Sequence, residues 1–145
     1  MADRWAIVVG RFYEELADRL VDGASRVFRE ARGAIDVYDV PGAFELPLAA
    51  KYCAESDLGF SGIACLGAVI RGETDHYDFV CSETASGISR VSLETGVPCA
   101  FGVLTVDSME QALARTGDGK RHQGEDAARA VVRMAQLRAS LPRRA

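Results

Sequence analysis

The stretch GAVIRGETDHYDFVC, residues 67–81, changes from an apolar run to a polar one within a few residues. Its second half contains His76, one of only two histidines in the chain. A neutral imidazole near pH 7 can take or give a proton, which is what general acid–base catalysis needs. If a helix begins here, its positive end disfavours the imidazolium form. We therefore interpret His76 as a candidate proton-transfer residue, with an ordinary surface histidine at a helix end as the alternative.

The segment just before His76 has the features of an anion site. Gly72 and the residues after it offer backbone N–H groups ahead of a helix, where free amides and the helix dipole favour an anion. Glu73 would repel a phosphate with its side chain, but not if only its N–H group faces the anion. A simple helix start capped by Thr74 or Asp75 is the alternative, and the loop alone leaves both interpretations open.

Aromatic, acidic and basic residues stand at other turns of the chain. Phe12 and Phe44 could stack on a flat heterocycle, or could cover the edge of the core. Glu45 is the only acid in PGAFELP, and it could accept hydrogen bonds from ligand hydroxyl or ring N–H groups or simply begin a helix. Arg115 ends a short helix, where a cation is favourable with or without a ligand.

Other kinds of chemistry lack the residues that they require. The chain has two lysines against fifteen arginines, so an enzyme-bound Schiff base has few candidate amines. The cysteines show no CxxC spacing, which argues against a zinc site and gives no reason to expect disulfides. The side chains of Asp75, His76 and Asp78 would diverge too much on a helix to bind one metal together. We expect no metal site. We interpret the cysteines as small core residues, with a catalytic thiol as the alternative: Cys53, Cys65, Cys81 and Cys99.

Hydrophobic periodicity places these residues on alternating strands and helices. Strands are predicted at 4–10, 34–40, 61–70 and 98–106. Helices are predicted at 13–32 (stopped by Gly33), 48–56, 76–94 and 125–140. Ser108 and Gln111 predict a capping box for one more short helix, followed by a polar loop in which we expect His122 to be exposed. The alternation predicts a four-stranded parallel sheet between helices, a three-layer αβα sandwich that is flavodoxin-like in outline.

In such sheets ligands bind beyond the carboxyl ends of the strands. Four βα loops should therefore share one edge, and they contain nearly all the candidate residues: 10–13, 40–45, 71–76 and 105–108.

Bulk composition is that of an ordinary globular protein. The chain has 145 residues, 48% apolar and 26% charged, with a net charge of -4, and we expect a single domain over 1–145. The acidic balance disfavours nucleic acid as a partner. The longest apolar run, 62–70, is too short to span a bilayer, and the first residues contain no apolar signal core, so we expect no membrane association and a cytoplasmic location.

Taken in order, the motifs VVGRFY, PGAFELP, GAVIRGETDHYDFVC and PCAFGVLTVDSMEQALART resemble the 6,7-dimethyl-8-ribityllumazine synthase family over nearly the whole chain. The resemblance implies an enzyme of riboflavin biosynthesis. It would condense 5-amino-6-(D-ribitylamino)uracil with 3,4-dihydroxy-2-butanone 4-phosphate to give 6,7-dimethyl-8-ribityllumazine, phosphate and water, without a cofactor.

The resemblance also implies roles for individual residues. Those expected to bind the pyrimidine and its ribityl chain are Phe12, Ala43, Phe44, Glu45, Ala68, Val69, Ile70 and Phe101. Those expected to bind phosphate are Glu73 and Thr74, through their amides, and Arg115. His76 would transfer protons. Family members are homopentamers or sixty-subunit shells with active sites between subunits, so that Phe101 and Arg115 would come from the neighbouring subunit.

Two positions depart from the family pattern. HQG at 122–124 stands where many members have NKG, so a lysine is missing. The candidates to replace it as a second phosphate contact are Lys120, Arg121 and His122. Tyr13 stands where asparagine is frequent. The loop at 117–124 favours isolated pentamers over shells.

Three other functions compete with the synthase. The chain could be a binding protein that holds a lumazine or flavin without turnover. It could be an archaeal-type riboflavin synthase, which needs no phosphate site. A flavodoxin-like electron carrier is the least favoured, because GRFYEE at 10–15 is bulky and charged where a phosphate loop would be rich in serine and threonine.

Overall fold

A computed structural model describes residues 3–143, and the two residues at each end of the predicted domain lie outside the described part. The strands are β1 (Asp3–Gly10), β2 (Gly33–Val40), β3 (Gly62–Ile70) and β4 (Cys99–Val106). The helices are α1 (Glu14–Glu30), α2 (Leu46–Glu55), α3 (His76–Thr95), α4 (Met109–Ala114) and α5 (Gln123–Ser140), with a 3₁₀ turn at Ala43–Glu45.

The four strands form one parallel sheet in the order β2-β1-β3-β4. Helices cover both faces, which confirms the predicted three-layer αβα sandwich. The central strands β1 and β3 are buried along most of their length, as expected of parallel strands covered on two sides. The edge strand β2 is largely exposed.

Each face of the sheet has its own apolar core. On the face covered by α1 and α5, the rings of Trp5 and Phe28 stack with their centroids 5.0 Å apart. On the opposite face, Leu46 of α2 and Ile88 of α3 are buried against the sheet. No helix within residues 3–143 combines the length and apolarity needed to cross a membrane.

Three predicted helix boundaries were wrong by about a turn or less, each for a local reason. Helix α1 ends at Glu30, and Arg32 adopts the left-handed backbone (φ 59°) just before Gly33 opens β2. Helix α2 begins at Leu46 rather than at 48, because a proline such as Pro47 is favoured in the first helical turn. Helix α5 begins two residues early, at Gln123, because the side chain of His122 accepts from the N–H of Glu125 and caps the helix there.

Candidate active site

Three βα loops meet at the carboxyl ends of β1, β2 and β3 and surround an open cleft of about 590 Å³. This volume is within the range of small-molecule sites. The structure brings eight of the predicted residues to the cleft: Phe12, Ala43, Phe44, Glu45, Ala68, Val69, Ile70 and His76. The shared sheet edge therefore collects residues that are more than sixty positions apart in the chain.

The first loop, which contains Phe12, is held in place by Arg11. The backbone N–H of Arg11 donates to the carbonyl oxygen of Val40 at 3.0 Å. Its guanidinium donates to Asp39 at 2.7 Å and to Asp18 at 2.8 Å, and these bonds raise the pKa of Arg11. Phe12 is 74% exposed, so it does not cover the edge of the core. Its ring packs edge-on against that of Tyr13, with the centroids 4.9 Å apart, and lines the cleft.

The second loop is a tight turn tied to α3. The carboxylate of Glu45 accepts a hydrogen bond from the N–H of Gly42 at 2.9 Å through Oε1. The carbonyl of Ala43 accepts from the buried hydroxyl of Thr84 at 3.3 Å. Phe44 is 59% exposed and stands on this turn as Phe12 does on the first loop. Glu45 therefore both closes the turn that leads into α2 and lines the cleft.

The third loop leads directly into α3, and His76 is the first residue of that helix. The N–H of His76 donates to Thr74 Oγ1 at 3.3 Å, whereas the side chain of Asp75 makes no cap. Of the two residues considered, only Thr74 therefore accepts a hydrogen bond from the start of α3, and it does so from the position before the N-cap residue Asp75. Glu73 and Thr74 are exposed beside the cleft but do not form its wall.

Arg71 braces the base of this third loop. Its guanidinium donates to Asp107 of the next loop at 2.9 Å. The same group lies 4.2 Å from the centroid of the Tyr77 ring, within the range of a cation–π contact. These contacts keep the start of α3, and with it His76, close to the end of β3.

Two predicted residues do not line this cleft. Arg115 lines a separate surface pocket of about 570 Å³, which it shares with Lys120 and Arg121. Phe101 is half-buried in the middle of β4, opposite Cys65. The cleft-lining residues of β3 pair three to five residues further along β4, about 10 Å or more up the strand.

Sequence reasoning missed four residues that also line the cleft: Tyr13, Gly42, Phe79 and Val80. Phe79 is the notable one, because 69% of this large apolar residue is exposed. It lies three residues after His76, and side chains at that spacing share one face of a helix. The spacing to His76 was the signal that could have identified it.

The prediction that His122 is exposed was wrong. Its imidazole is half-buried between α1 and α5, and its Nδ1 accepts a hydrogen bond from the N–H of Glu125 at 3.4 Å. Burial lowers the pKa of this histidine. A side chain turned into the protein cannot serve as the second phosphate contact, which leaves Lys120 and Arg121 as candidates for that role.

The cysteines show no sign of catalytic activation. Cys53 and Cys65 are buried, as predicted, whereas Cys81 and Cys99 are only partly so. Burial raises the pKa of Cys53 to about 11 and that of Cys99 to about 12, so both thiols stay protonated at neutral pH and are poor nucleophiles. Within residues 3–143, no three His, Cys, Asp or Glu side chains are grouped as a metal site would need.

A third pocket, besides the cleft and the pocket of Arg115, is of similar size and, like the cleft, mostly apolar. It measures about 550 Å³ and lies between the end of α3, the start of β4 and α5, with a lining that is mostly apolar. It is far from the loops at the carboxyl ends of the strands, where the candidate residues converge. We therefore take the cleft around His76, and not this third pocket, as the candidate active site.

Comparison with known proteins adds independent findings. The family model described as 6,7-dimethyl-8-ribityllumazine synthase matches residues 3–139. A protein of that name from Desulfotalea psychrophila is 49% identical, over 92% of this chain and 88% of its own length. Those from Syntrophus aciditrophicus and Salinibacter ruber are 48% and 45% identical, over 92% of this chain and 88% and 87% of their own lengths.

Proposed function

Because this chain belongs to the 6,7-dimethyl-8-ribityllumazine synthase family, we propose that the cleft around His76 is where it joins its two substrates. The reaction condenses 5-amino-6-(D-ribitylamino)uracil with 3,4-dihydroxy-2-butanone 4-phosphate. The amine attacks the ketone and water leaves as the imine forms. Phosphate is then eliminated, and ring closure releases a second water.

The convergence of three loops on one cleft is the observation that carries this proposal. Phe12 and Phe44 are exposed rings on two neighbouring loops, suited to holding a flat pyrimidine. The end of β3, from Ala68 to Ile70, offers backbone groups to the edge of the uracil. Glu45 is anchored through Oε1, so its second oxygen is available to the hydroxyls of the ribityl chain.

The expected sources of catalysis are positioning and proton transfer. Holding an amine against a ketone removes the entropy cost of their encounter, an effect worth up to about 7–11 kcal/mol. The imine nitrogen comes from the substrate, so a chain with two lysines lacks nothing that the reaction needs. His76 moves protons during imine formation and phosphate loss, with a contribution of about 10²–10⁴-fold.

The active site is shared between two subunits of a homo-oligomer, a pentamer in our proposal. The support is that Phe101 and Arg115 lie outside the cleft of their own subunit, whereas the substrate needs a cation for its phosphate. In a ring of like subunits, the pocket of Arg115 on one copy can face the loop containing Glu73 and Thr74 on the next. Their free amides at the start of α3 would bind the same phosphate.

Lys120 is the better candidate for the second phosphate contact. It shares the pocket of Arg115, and within the described residues it makes no ion pair. Arg121 shares that pocket too, but its guanidinium is directed to Asp126 at 3.6 Å.

A turnover assay with both substrates tests the proposed function. We expect a fluorescent lumazine and one phosphate released for each product molecule. Binding of the pyrimidine without turnover would instead identify a binding protein. Conversion of lumazine to riboflavin without phosphate release would identify a riboflavin synthase.

Mixing two impaired variants tests the shared site. His76→Ala and Arg115→Ala damage different subunits of the same site, so co-expression should restore activity. In a randomly mixed ring about a quarter of the sites would have both residues intact. Activity no higher than the mean of the two pure variants would mean that each subunit works alone.

A further inference from the structure

The imidazole of His122 packs against α1 at Gly23, where the missing side chain leaves room for the ring. We call this position on Gly23 the seat of His122. An ideal Cβ atom on Gly23 would stand 2.6 Å from Nδ1 and 2.8 Å from Nε2 of the ring, closer than real Cβ contacts. Gly23 is buried in the middle of α1, where glycine costs about 1 kcal/mol relative to alanine. The ring therefore uses the space that any other residue at position 23 would fill.

The same ring also caps the N-terminus of α5. His122 is the N-cap of that helix, and its Nδ1 accepts from the N–H of Glu125 at 3.4 Å, a bond that requires a neutral imidazole. Glu125 in turn accepts from Arg26 of α1 at 2.8 Å. The charged groups that face the ring are Glu125 and Asp126 from α5 and Asp22 and Arg26 from α1.

From this seat the chain runs directly back to Arg115. Thr116 and His122 pair as antiparallel neighbours. The N–H of Gln123 donates to the carbonyl oxygen of Arg115 at 2.8 Å. The loop at 117–121 is thus closed at its base, and the backbone of Arg115 is one hydrogen bond away from the residue that follows His122.

The outer part of the loop has a second, weaker attachment. Asp118 accepts from Arg19 of α1 at 2.8 Å, and this pair is exposed, so it stabilises the loop little in water. Arg115 itself is exposed, with its Nη1 donating to the carbonyl of Gln111 at 3.3 Å. The base of the loop is held at one end by the buried Thr116, whose Oγ1 donates to the carbonyl of Ala112 at 3.0 Å, and at the other by the contact of the half-buried His122 ring with Gly23.

We propose that His122 is a positioning residue for the phosphate site: by seating its ring on Gly23 and capping α5, it holds Arg115 where the phosphate of the four-carbon substrate binds. The inference rests on the proposed function only in assigning the phosphate to Arg115. His122 touches no substrate. Its effect is on where the guanidinium of Arg115 stands before the substrate arrives.

Three variants test the seat, with steady-state kinetics for each substrate. His122→Ala removes both the imidazole and the N-cap. Gly23→Ala retains the imidazole but fills the space on α1 in which it packs. We expect each to raise KM for the butanone phosphate about tenfold, the equivalent of one helix cap. KM for the aminopyrimidine should stay within about twofold of the wild type, because the cleft is untouched, and any fall in kcat should be smaller than that of Arg115→Ala. His122→Asn retains an N-cap acceptor and should recover most of the lost affinity.

Two further measurements separate positioning from general loosening. Amide exchange at Gln123, which reports the bond to Arg115, should become faster in His122→Ala and Gly23→Ala but not in His122→Asn. The double variant Gly23→Ala/His122→Ala should be no worse in KM than either single one, since both disrupt the same contact.

The contrary results are equally specific. An unchanged KM for the butanone phosphate in folded Gly23→Ala and His122→Ala would overturn the proposal, as would a parallel loss of kcat and of affinity for both substrates. Arg115→Ala is measured alongside. If that variant binds the butanone phosphate normally, the assignment of the phosphate to Arg115 fails and this inference with it; if only the seat variants behave normally, this inference alone fails.

Discussion

The backbones of Gly10 and Gly42 meet at the point where the first two loops leave the sheet. A Cβ atom placed on Gly10 would lie 2.8 Å from the carbonyl carbon of Gly42 and 3.1 Å from the nitrogen of Ala43. Both obstacles are backbone atoms, which cannot turn aside as a side chain can. This contact sets the spacing of Phe12 and Phe44 across the cleft, since each ring stands two residues beyond its glycine.

Gly10→Ala should therefore affect both stability and binding. We expect a loss of about 1–3 kcal/mol in the free energy of unfolding, the usual cost of overpacking, and a higher KM for the aminopyrimidine. Thermal unfolding and steady-state kinetics measure the two effects. Gly72→Ala is the matched control for stability, because a Cβ there meets nothing within 4 Å. Equal unfolding temperatures for the two variants would contradict the tight contact.

Phe12→Ala should weaken binding without unfolding the protein. The ring is 74% exposed, so its removal leaves no cavity. Loss of stacking, about 0.5–1.5 kcal/mol beyond the buried area, should raise KM for the aminopyrimidine about tenfold. Leu58→Ala, another exposed apolar side chain outside the cleft, is the control. A similar change in both variants would show that the effect is not one of stacking.

His76→Gln should slow the reaction but not stop it. Glutamine retains hydrogen-bonding capacity and loses proton transfer, so we expect kcat to fall about 10²–10⁴-fold while both KM values change little. Single-turnover measurements locate the loss in the chemical steps. Asp75→Asn alters the neighbouring residue, whose side chain makes no cap, and should retain most of kcat. An undiminished kcat in His76→Gln would remove this histidine from the mechanism.

Arg115→Ala should be the more damaging change for the phosphate substrate. In our proposal the guanidinium both binds the phosphate and stabilises its charge as it leaves, so we expect kcat/KM for the butanone phosphate to fall about 10³-fold. Arg133→Ala removes an exposed arginine from α5 and serves as the charge-matched control. A near-normal affinity in Arg115→Ala would mean that the phosphate is bound elsewhere.

Stability should decline as the solution is acidified below about pH 6.5. Burial lowers the pKa of folded His122 below its ordinary 6.5, so its contribution is fully present above that value and is lost as the pH falls through the folded pKa. The hydrogen bond from Arg26 lowers the pKa of Glu125 below 4.5, which extends the loss to more acidic solution. Chemical unfolding of the wild type and His122→Asn across this range checks the sign. The variant should have a shallower slope near pH 6, and an identical slope would contradict the assignment to His122.

Much of this architecture follows from local sequence pattern. The apolar run at 62–70 predicted a strand buried on both faces, and the helical spacing of Leu16 and Leu20 predicted the buried face of α1. Both predictions were possible because the spacing of apolar residues within an element determines which of its faces is buried. Ser108 and Gln111 likewise predicted a helix start, and the N–H of Gln111 donates to Ser108 Oγ at 3.2 Å. The carboxyl ends of parallel strands must share an edge, so the meeting of three loops was also predictable.

The tertiary structure alone decided which neighbour each loop residue meets. A polar loop containing His122 reads as exposed, and only the packing of α5 against Gly23 of α1, a hundred residues earlier, shows that its ring is enclosed. The separation of Arg115 from the cleft is likewise a matter of where α4 packs beside β4. Local periodicity contains no information on such contacts, because they depend on how the helices fit together across the sheet.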